Sequence, residues 1–252
     1  GTDATIALIG GADITANFRP GTMAISIGML LSALAMTWHL VHFHYVKFNK
    51  ESMYEVSKKI ILLCIPLLLS AQFIAGILNE ALDLTDTNQE LFISMSHNIF
   101  GVLSIAIVVP ILEEVLFRGA IEGHLLRKGW SPKWAILVSA LIFGIIHGNP
   151  AQIPFAFLIG LLFGWLYYRT GSLVPGIVGH IINNSFGAWT MFTATREELS
   201  QTTMETLGTT ITYILLVLAI IVFIGMYLYL NKYLPKPTNI QVKAINEQDI
   251  TI

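Results

Sequence analysis

Seven apolar runs, most of them close to the thickness of a lipid bilayer, leave this chain few ways to fold. They occupy residues 23–45, 60–81, 97–117, 134–147, 153–168, 173–192 and 211–230. A helix crosses the hydrocarbon core with about 20 mostly apolar residues, and it does so because every backbone polar group is satisfied within the segment. The expected fold is therefore all-α, a polytopic bundle of about seven spans. The fourth and fifth runs are short, so they must borrow flanking residues or sit unevenly in the bilayer. Composition agrees: 54% of the residues are hydrophobic and 12% charged, against about 25% charged in a typical soluble domain.

The remaining bulk properties exclude other classes. A net charge of −2 carries no basic excess for nucleic acid. Cys64 is the sole cysteine and lies in an apolar run, which rules out a disulfide framework or a cysteine metal site and reads as a small core residue. Residues 1–22 lack the basic start and unbroken apolar stretch of a signal peptide, and read as an appended remnant or the end of an upstream helix. Residues 23–230 form one membrane domain, and 231–252 a short polar tail.

Basic residues in short loops set orientation. Lys47, Lys50, Lys58 and Lys59 follow the first run; Arg118, Arg127, Lys128 and Lys133 follow the third; Arg169 follows the fifth; Lys232, Lys236 and Lys243 follow the last. With alternating helices, these 12 of the 14 basic residues share one side. The opposite loops hold Asp83, Asp86 and Glu90, then Glu197, Glu198 and Glu205. The chain should enter from outside and end in the cytoplasm. Ser131-Pro132 reads as a helix start, and Gly171-Ser172 followed by Pro175 as a turn opening the sixth helix. Pro66 and Pro110 lie inside runs, where a freed carbonyl bends a helix.

Ionisable groups within spans cost about 2.5–3.5 kcal/mol each on insertion scales and point to function. They cluster in three places. Glu113-Glu114 and Arg118 close the third run. Glu114 and Arg118 are four apart and share a face, while Glu113 lies about 100° around the helix and points to a separate pocket. Phe143 and His147 are again four apart, beside Gly144 and Gly148, which permit close helix contact. His180 and Asn184 share a face of the sixth run, offering donors suited to an oxyanion; Asn183 points elsewhere. Each piece alone also admits a structural reading, as a helix-end ion pair, a satisfied histidine or an interhelical clamp. His39, His42 and His44 read as an interfacial anchor, His97 and His124 as solvated helix edges, and Glu122 as a residue of the cytoplasmic loop.

Taken in order, E-E-x-x-x-R, F-x-x-x-H and H-x-x-x-N on successive membrane helices resemble the CAAX-protease and bacteriocin-processing (CPBP) family of intramembrane peptidases. The match consists of Glu113, Glu114, Arg118, Phe143, His147, His180 and Asn184, with Phe117-Arg118-Gly119 and Gly171-Ser172-Leu173 in support. It spans about residues 98–192, the expected catalytic core. Other membrane-protease signatures are absent: there is no H-E-x-x-H, no Gly-x-Ser-Gly and no Gly-x-Gly-Asp.

The resemblance implies peptide-bond hydrolysis by an activated water on a membrane-associated peptide or protein, in a bacterial plasma membrane. On this reading Glu113 is the general base, His147 holds and polarises the water, and His180 with Asn184 receives the oxyanion. Arg118 keeps Glu114 ionised, and Phe143 supports. Two cofactor states stay open: zinc held by Glu113, His147 and His180, or a metal-free Glu/His pair, which is favoured. Since Glu113 and His180 both lean cytoplasmic, the fourth helix is expected to be displaced towards the cytoplasm, with the site in a cavity open to that side. A non-proteolytic scaffold or immunity-type partner is the alternative; a scaffold, however, needs no base. A proton-relay transporter is a third class, disfavoured by the lack of matching broken helices in two halves.

Overall fold

The structure is a computed structural model describing residues 21–46 and 58–234; residues 1–20 and 235–252, and Lys47 and Lys50 between the first two helices, lie outside the described residues. Every one of the seven apolar runs is helical. The long helices are α1 (Thr22–His42) and α2 (Lys58–Ala81), then, after the short α3 (Gln89–Ser96), α4 (Ile99–Arg127). They are followed by α5 (Pro132–Ile146), α6 (Ile153–Thr170) and α7 (Val174–Thr193). Short α8 (Arg196–Ser200) and α9 (Thr203–Leu207) lead into α10 (Thr209–Tyr233). No strand occurs among the described residues.

Five of these helices, α1, α2, α4, α6 and α10, are long and apolar enough to cross a membrane, rather than the seven expected. The other two fall short for different reasons. Helix α5 has 15 residues, about 22 Å at 1.5 Å per residue, against a hydrocarbon core of about 30 Å. Helix α7 has 20 residues but spends part of its length on His180, Asn183, Asn184 and Ser185.

The largest departure from the sequence reading is α4. It was expected to end near Phe117, but it continues to Arg127, 29 residues in all. Arg118 is therefore not a loop cation and does not bear on orientation; it is 1% exposed within the bundle. Glu122 is not in a loop either, and is fully buried. Two stretches of α4, Ser104–Val108 and Val115–Glu122, are wound as π-helix. The first immediately precedes the turn containing Pro110. Proline has no N–H for the carbonyl four residues back and its ring crowds that carbonyl, so a widened preceding turn accommodates it without breaking the span. Single π turns of this kind are frequent at functional sites.

Side-chain caps and cross-links fix how α4 sits. Asn98 accepts from the Gly101 amide at 2.7 Å and starts the helix. Ser104 Oγ donates to the Ser26 carbonyl of α1 at 3.0 Å, and Ser139 Oγ of α5 donates to the Phe117 carbonyl at 2.8 Å. The Ser131-Pro132 start of α5 and the left-handed Gly171 (φ 66°) closing α6 both fall where the sequence placed them. Helix α10 packs against α2, and Leu230 and Leu234 join Leu67, Phe163 and Leu166 in the main apolar core.

Candidate active site

The length of α4 explains how the site assembles. Glu113 lies midway along it, with 14 residues to Arg127, or about 21 Å. The chain then turns at 128–131 and climbs 15 residues from Pro132 to His147, or about 22 Å. The two arms match, so a short antiparallel α5 delivers His147, at its C-terminal end, to the level of Glu113. No displacement of α5 towards the basic side is needed, because Glu113 is not near the end of its helix.

Glu113, Phe143, His147, His180, Asn183 and Asn184 all line one cavity of about 400 Å³. Its other walls include Asn88, Phe92, Gln152 and Met191, which belong to the end of the bundle carrying the acidic loops. No described residue of the basic-end loops lines it. The cavity thus opens away from the basic side, opposite to the sequence expectation, which rested on a helix ending at Phe117.

His147 caps α5, and its Nδ1 lies 2.7 Å from the Phe143 carbonyl. A carbonyl only accepts, so Nδ1 carries a proton, and in the neutral ring this leaves the lone pair on Nε2. Phe143, 2% exposed, packs edge-on against His147 (4.9 Å) and His180 (5.8 Å) and lies under the Arg118 guanidinium at 4.5 Å. One aromatic ring thereby sets the spacing of all three cationic or imidazole groups.

Glu114 and Arg118 form the expected ion pair, Nη1 to Oε1 at 3.0 Å, with both side chains 1% exposed. Arg118 Nη2 also donates to the Gly160 carbonyl at 3.1 Å. Glu113 points to the cavity and Glu114 does not, as their spacing implies, but the two glutamates are linked. His180 stands between them, with Nδ1 3.0 Å from Glu114 Oε1 and Nε2 3.4 Å from Glu113 Oε2. Spacing along α4 could not show this, since the bridging ring comes from α7. Glu113 is the carboxylate on the cavity side, 19% exposed, and Glu114 the sealed one.

His180 and Asn184 are brought together as expected, but their donors are largely committed. Both ring nitrogens of His180 face carboxylates. Asn184 Nδ2 donates to the Ile105 carbonyl, in the first π turn, at 2.9 Å, and its Oδ1 accepts from Asn183 Nδ2 at 2.9 Å. One Asn184 amide hydrogen is left for a ligand.

A three-ligand zinc set was one expectation for Glu113, His147 and His180. The donors do not fit it as they stand. His180 Nε2 is turned to Glu113 and its Nδ1 to Glu114, and no group of three His, Cys, Asp or Glu side chains is arranged as ligands among the described residues.

Two further polar residues are buried in the bundle: Glu122, which the sequence reading put in a loop, and Asn149, which it did not single out. Glu122 continues the Glu114–Arg118 series by four residues, and both its carboxyl oxygens lack a hydrogen-bond partner. Asn149 is fully buried two residues after His147. Space for the buried charges comes from glycines on the facing helices. A Cβ at Gly176 would lie 2.7 Å from Glu114 Oε2, one at Gly160 3.2 Å from Arg118 Nη2, and one at Gly164 2.6 Å from Glu122 Oε2. Gly160-x-x-x-Gly164 is a small-residue repeat and was the available sequence signal for a partner charge on α4.

Residues 95–186 match the family described as type II CAAX prenyl endopeptidase Rce1-like. Among curated proteins, the putative membrane peptidase YdiL of Bacillus subtilis is 38% identical over 81 residues, 32% of this chain and 33% of that protein. The membrane-embedded CAAX protease MroQ of Staphylococcus aureus is 33% identical over 106 residues, 40% of this chain and 42% of MroQ. UPF0177 protein YxdF of Lactococcus lactis is 28% identical over 122 residues, 48% of this chain and 63% of that protein. The matches thus span between about a third and under two thirds of these relatives' lengths. No solved structure matches the chain. The relatives are bacterial, and the five membrane-length helices make this an integral membrane protein. The three motifs converge inside this matched segment, which is where the chain is similar to the type II CAAX prenyl endopeptidase family and to these membrane proteins.

Proposed function

We propose that the protein is a membrane-embedded endopeptidase in which Glu113 activates a water against a peptide bond. The observation that carries this is the meeting of Glu113 with the lone-pair nitrogen of His147 and with His180 on one cavity inside a helical membrane protein. A water held between Glu113 and His147 Nε2 gives its proton to the Glu113 carboxylate as its oxygen bonds the scissile carbonyl carbon. The free Asn184 amide hydrogen stabilises the resulting oxyanion. When the intermediate collapses, the C–N bond breaks and the proton on Glu113 passes to the leaving amine. His180, between the two glutamates, couples this carboxylate to the Glu114–Arg118 pair. General acid–base assistance of this kind contributes about 10²–10⁴-fold.

The walls suit a membrane-associated substrate. Met29, Phe92, Phe155 and Met191 offer apolar contact, while Asn88 and Gln152 can pair with the backbone of an extended peptide. The excess of Lys and Arg on one side supports a reading with that side cytoplasmic, in which the cavity of a bacterial plasma-membrane protein faces outward.

The test is Glu113→Gln, which keeps side-chain size and removes the base. Purified variant should retain the fold and lose cleavage of membrane-derived peptides by at least about 10²-fold; full activity would remove Glu113 from the mechanism. The same active preparations should contain no stoichiometric zinc, and activity lost to a tight chelator and restored by zinc would overturn the metal-free reading.

A further inference from the structure

We infer that Asn149 is the positioning residue of His147, acting through a latch to the 86–88 loop at the cavity mouth. This rests on the peptidase reading for its effect on turnover, but its geometry stands independently. Asn149 follows His147 by two residues, after Gly148 at φ 61°, and is fully buried. A buried asparagine must have both halves of its amide paired. Its Nδ2 donates to Asp86 Oδ1 at 2.7 Å, and its Oδ1 accepts from the Thr87 amide at 3.2 Å and from the Thr87 hydroxyl at 3.4 Å. Asp86 Oδ1 in turn accepts from the Asn88 amide at 2.9 Å. On the other side, the Asn149 carbonyl accepts from the amides of Gln152 and Ile153 and opens α6.

The segment from His147 to Gln152 would otherwise be a short connection at a helix end, free to fray. His147 itself is beyond the last α5 residue, and its ring is held by a single hydrogen bond to Phe143. Its Nε2 must stay aimed at the water that Glu113 deprotonates, and a misplacement of about 1 Å can cost on the order of 10²-fold. The latch supplies the missing constraint. It also ties two cavity-lining residues, Asn88 and Gln152, to the same anchor, so that mouth and histidine are set together. Asn149 touches no substrate.

The latch has an unusual property for testing: its two ends can be exchanged. In Asn149→Asp a carboxylate faces the Asp86 carboxylate at hydrogen-bond distance, and the latch breaks. In Asn149→Asp with Asp86→Asn, residue 86 becomes the amide donor. The new carboxylate still accepts from Thr87, while the two bonds that Asp86 Oδ1 accepts are divided: the side-chain amide nitrogen at residue 86 donates to residue 149, and its side-chain oxygen turns to the Asn88 amide. Asn149→Ala removes the latch altogether. Full-length protein in detergent should be compared for kcat, KM and the ¹⁵N signals of the His147 ring. Expected are a fall in kcat of tenfold or more in both single variants with KM little changed, and a mixture of His147 tautomers replacing the Nδ1–H form. Recovery of both readouts in the exchanged double variant completes the expectation. Single variants whose losses only track the fraction of unfolded protein, or an exchange that restores neither readout, would overturn the assignment. If the wild type cleaves no peptide the peptidase reading falls, while the ring signals still decide whether Asn149 positions His147.

Discussion

The buried Glu114–Arg118 pair makes a quantitative prediction that separates a charge pair from ordinary helix packing. Both side chains are 1% exposed and 3.0 Å apart. Removing one partner of such a pair leaves an uncompensated charge and costs about 3–5 kcal/mol, whereas replacing both together is often close to neutral. Arg118→Met leaves Glu114 with only His180 as a partner, because Glu114 Oε2 already has none. Glu114→Gln leaves the guanidinium with the Gly160 carbonyl and the faces of Phe143 and Phe163. Its cost should therefore lie at the lower end, about 3 kcal/mol. At 1.4 kcal/mol per decade, each single variant shifts the unfolding equilibrium by about two decades or more. Methionine refills part of the space and keeps contact with both rings, so the double variant should cost well under the sum, with a coupling above about 2 kcal/mol. Neutral interhelical hydrogen bonds in membranes average only about 0.6 kcal/mol in such cycles, so the value discriminates. The assay is reversible unfolding in mixed micelles, followed by tryptophan fluorescence. A double variant equal to the sum of the singles within about 0.5 kcal/mol would refute the argument that these groups act as a compensated pair.

Three other outcomes are expected. Gly101→Ala should destabilise at the upper end of the ~1–3 kcal/mol typical of overpacking: its Cβ would lie 2.1 Å from the Met95 carbonyl oxygen, whereas Gly28→Ala, with nothing within 4 Å, should be tolerated in the same thermal-unfolding measurement. In a Cys64→Ser background, Glu197→Cys should react with a membrane-impermeant thiol reagent on intact cells and Lys128→Cys only after lysis; the opposite pattern would invert the orientation. Thr195 donates to the Glu198 carboxylate through its amide and hydroxyl, which lowers the Glu198 pKa. A carboxyl lowered in the folded state stabilises above its unfolded pKa and loses that contribution as pH falls through the folded one. Amide protection across α8 should therefore weaken only in acid; Glu198→Gln should lack this pH dependence, and protection unchanged through acid would contradict the capping role.

Residues whose role follows from their own helix were legible in the sequence. Apolar length gave all seven helices, and i,i+4 spacing gave Glu114–Arg118 and Phe143–His147. What was not legible depends on a facing helix. Residues 118–127 read as a loop because Arg118, Glu122, His124 and Arg127 lower the hydropathy. Yet Arg118 and Glu122 point inward to Gly160 and Gly164, and only His124 is exposed. Charge in a window does not say which side of the helix carries it. From the missed length followed the wrong depth for Glu113 and the wrong open side for the cavity. Asn149 lay in a Gly-Asn-Pro stretch that reads as an ordinary turn, and its burial comes from the 86–88 loop, distant in sequence.

The bridge made by His180 changes what the pair of glutamates can do. On α4 the two carboxylates diverge, and with separate partners each would respond only to its own surroundings. One imidazole spans the gap, because its two nitrogens leave the ring in different directions. It therefore joins a carboxylate that meets the cavity to one sealed against Arg118. A charge gained or lost at Glu113 is then felt at once by a group held in place by a buried cation, without water between them to reorganise. Such fixed dipoles and charges act more strongly in a dry interior than in water and need no rearrangement during the reaction. The division is thus spatial: Glu113 and His147 line the cavity, while Glu114 and Arg118 are sealed from it, and in the proposed mechanism the sealed pair holds the field in which Glu113 works. Tight packing by Gly160 and Gly176 belongs to the same arrangement, since a side chain at either position would push the dry half of the bridge out of line.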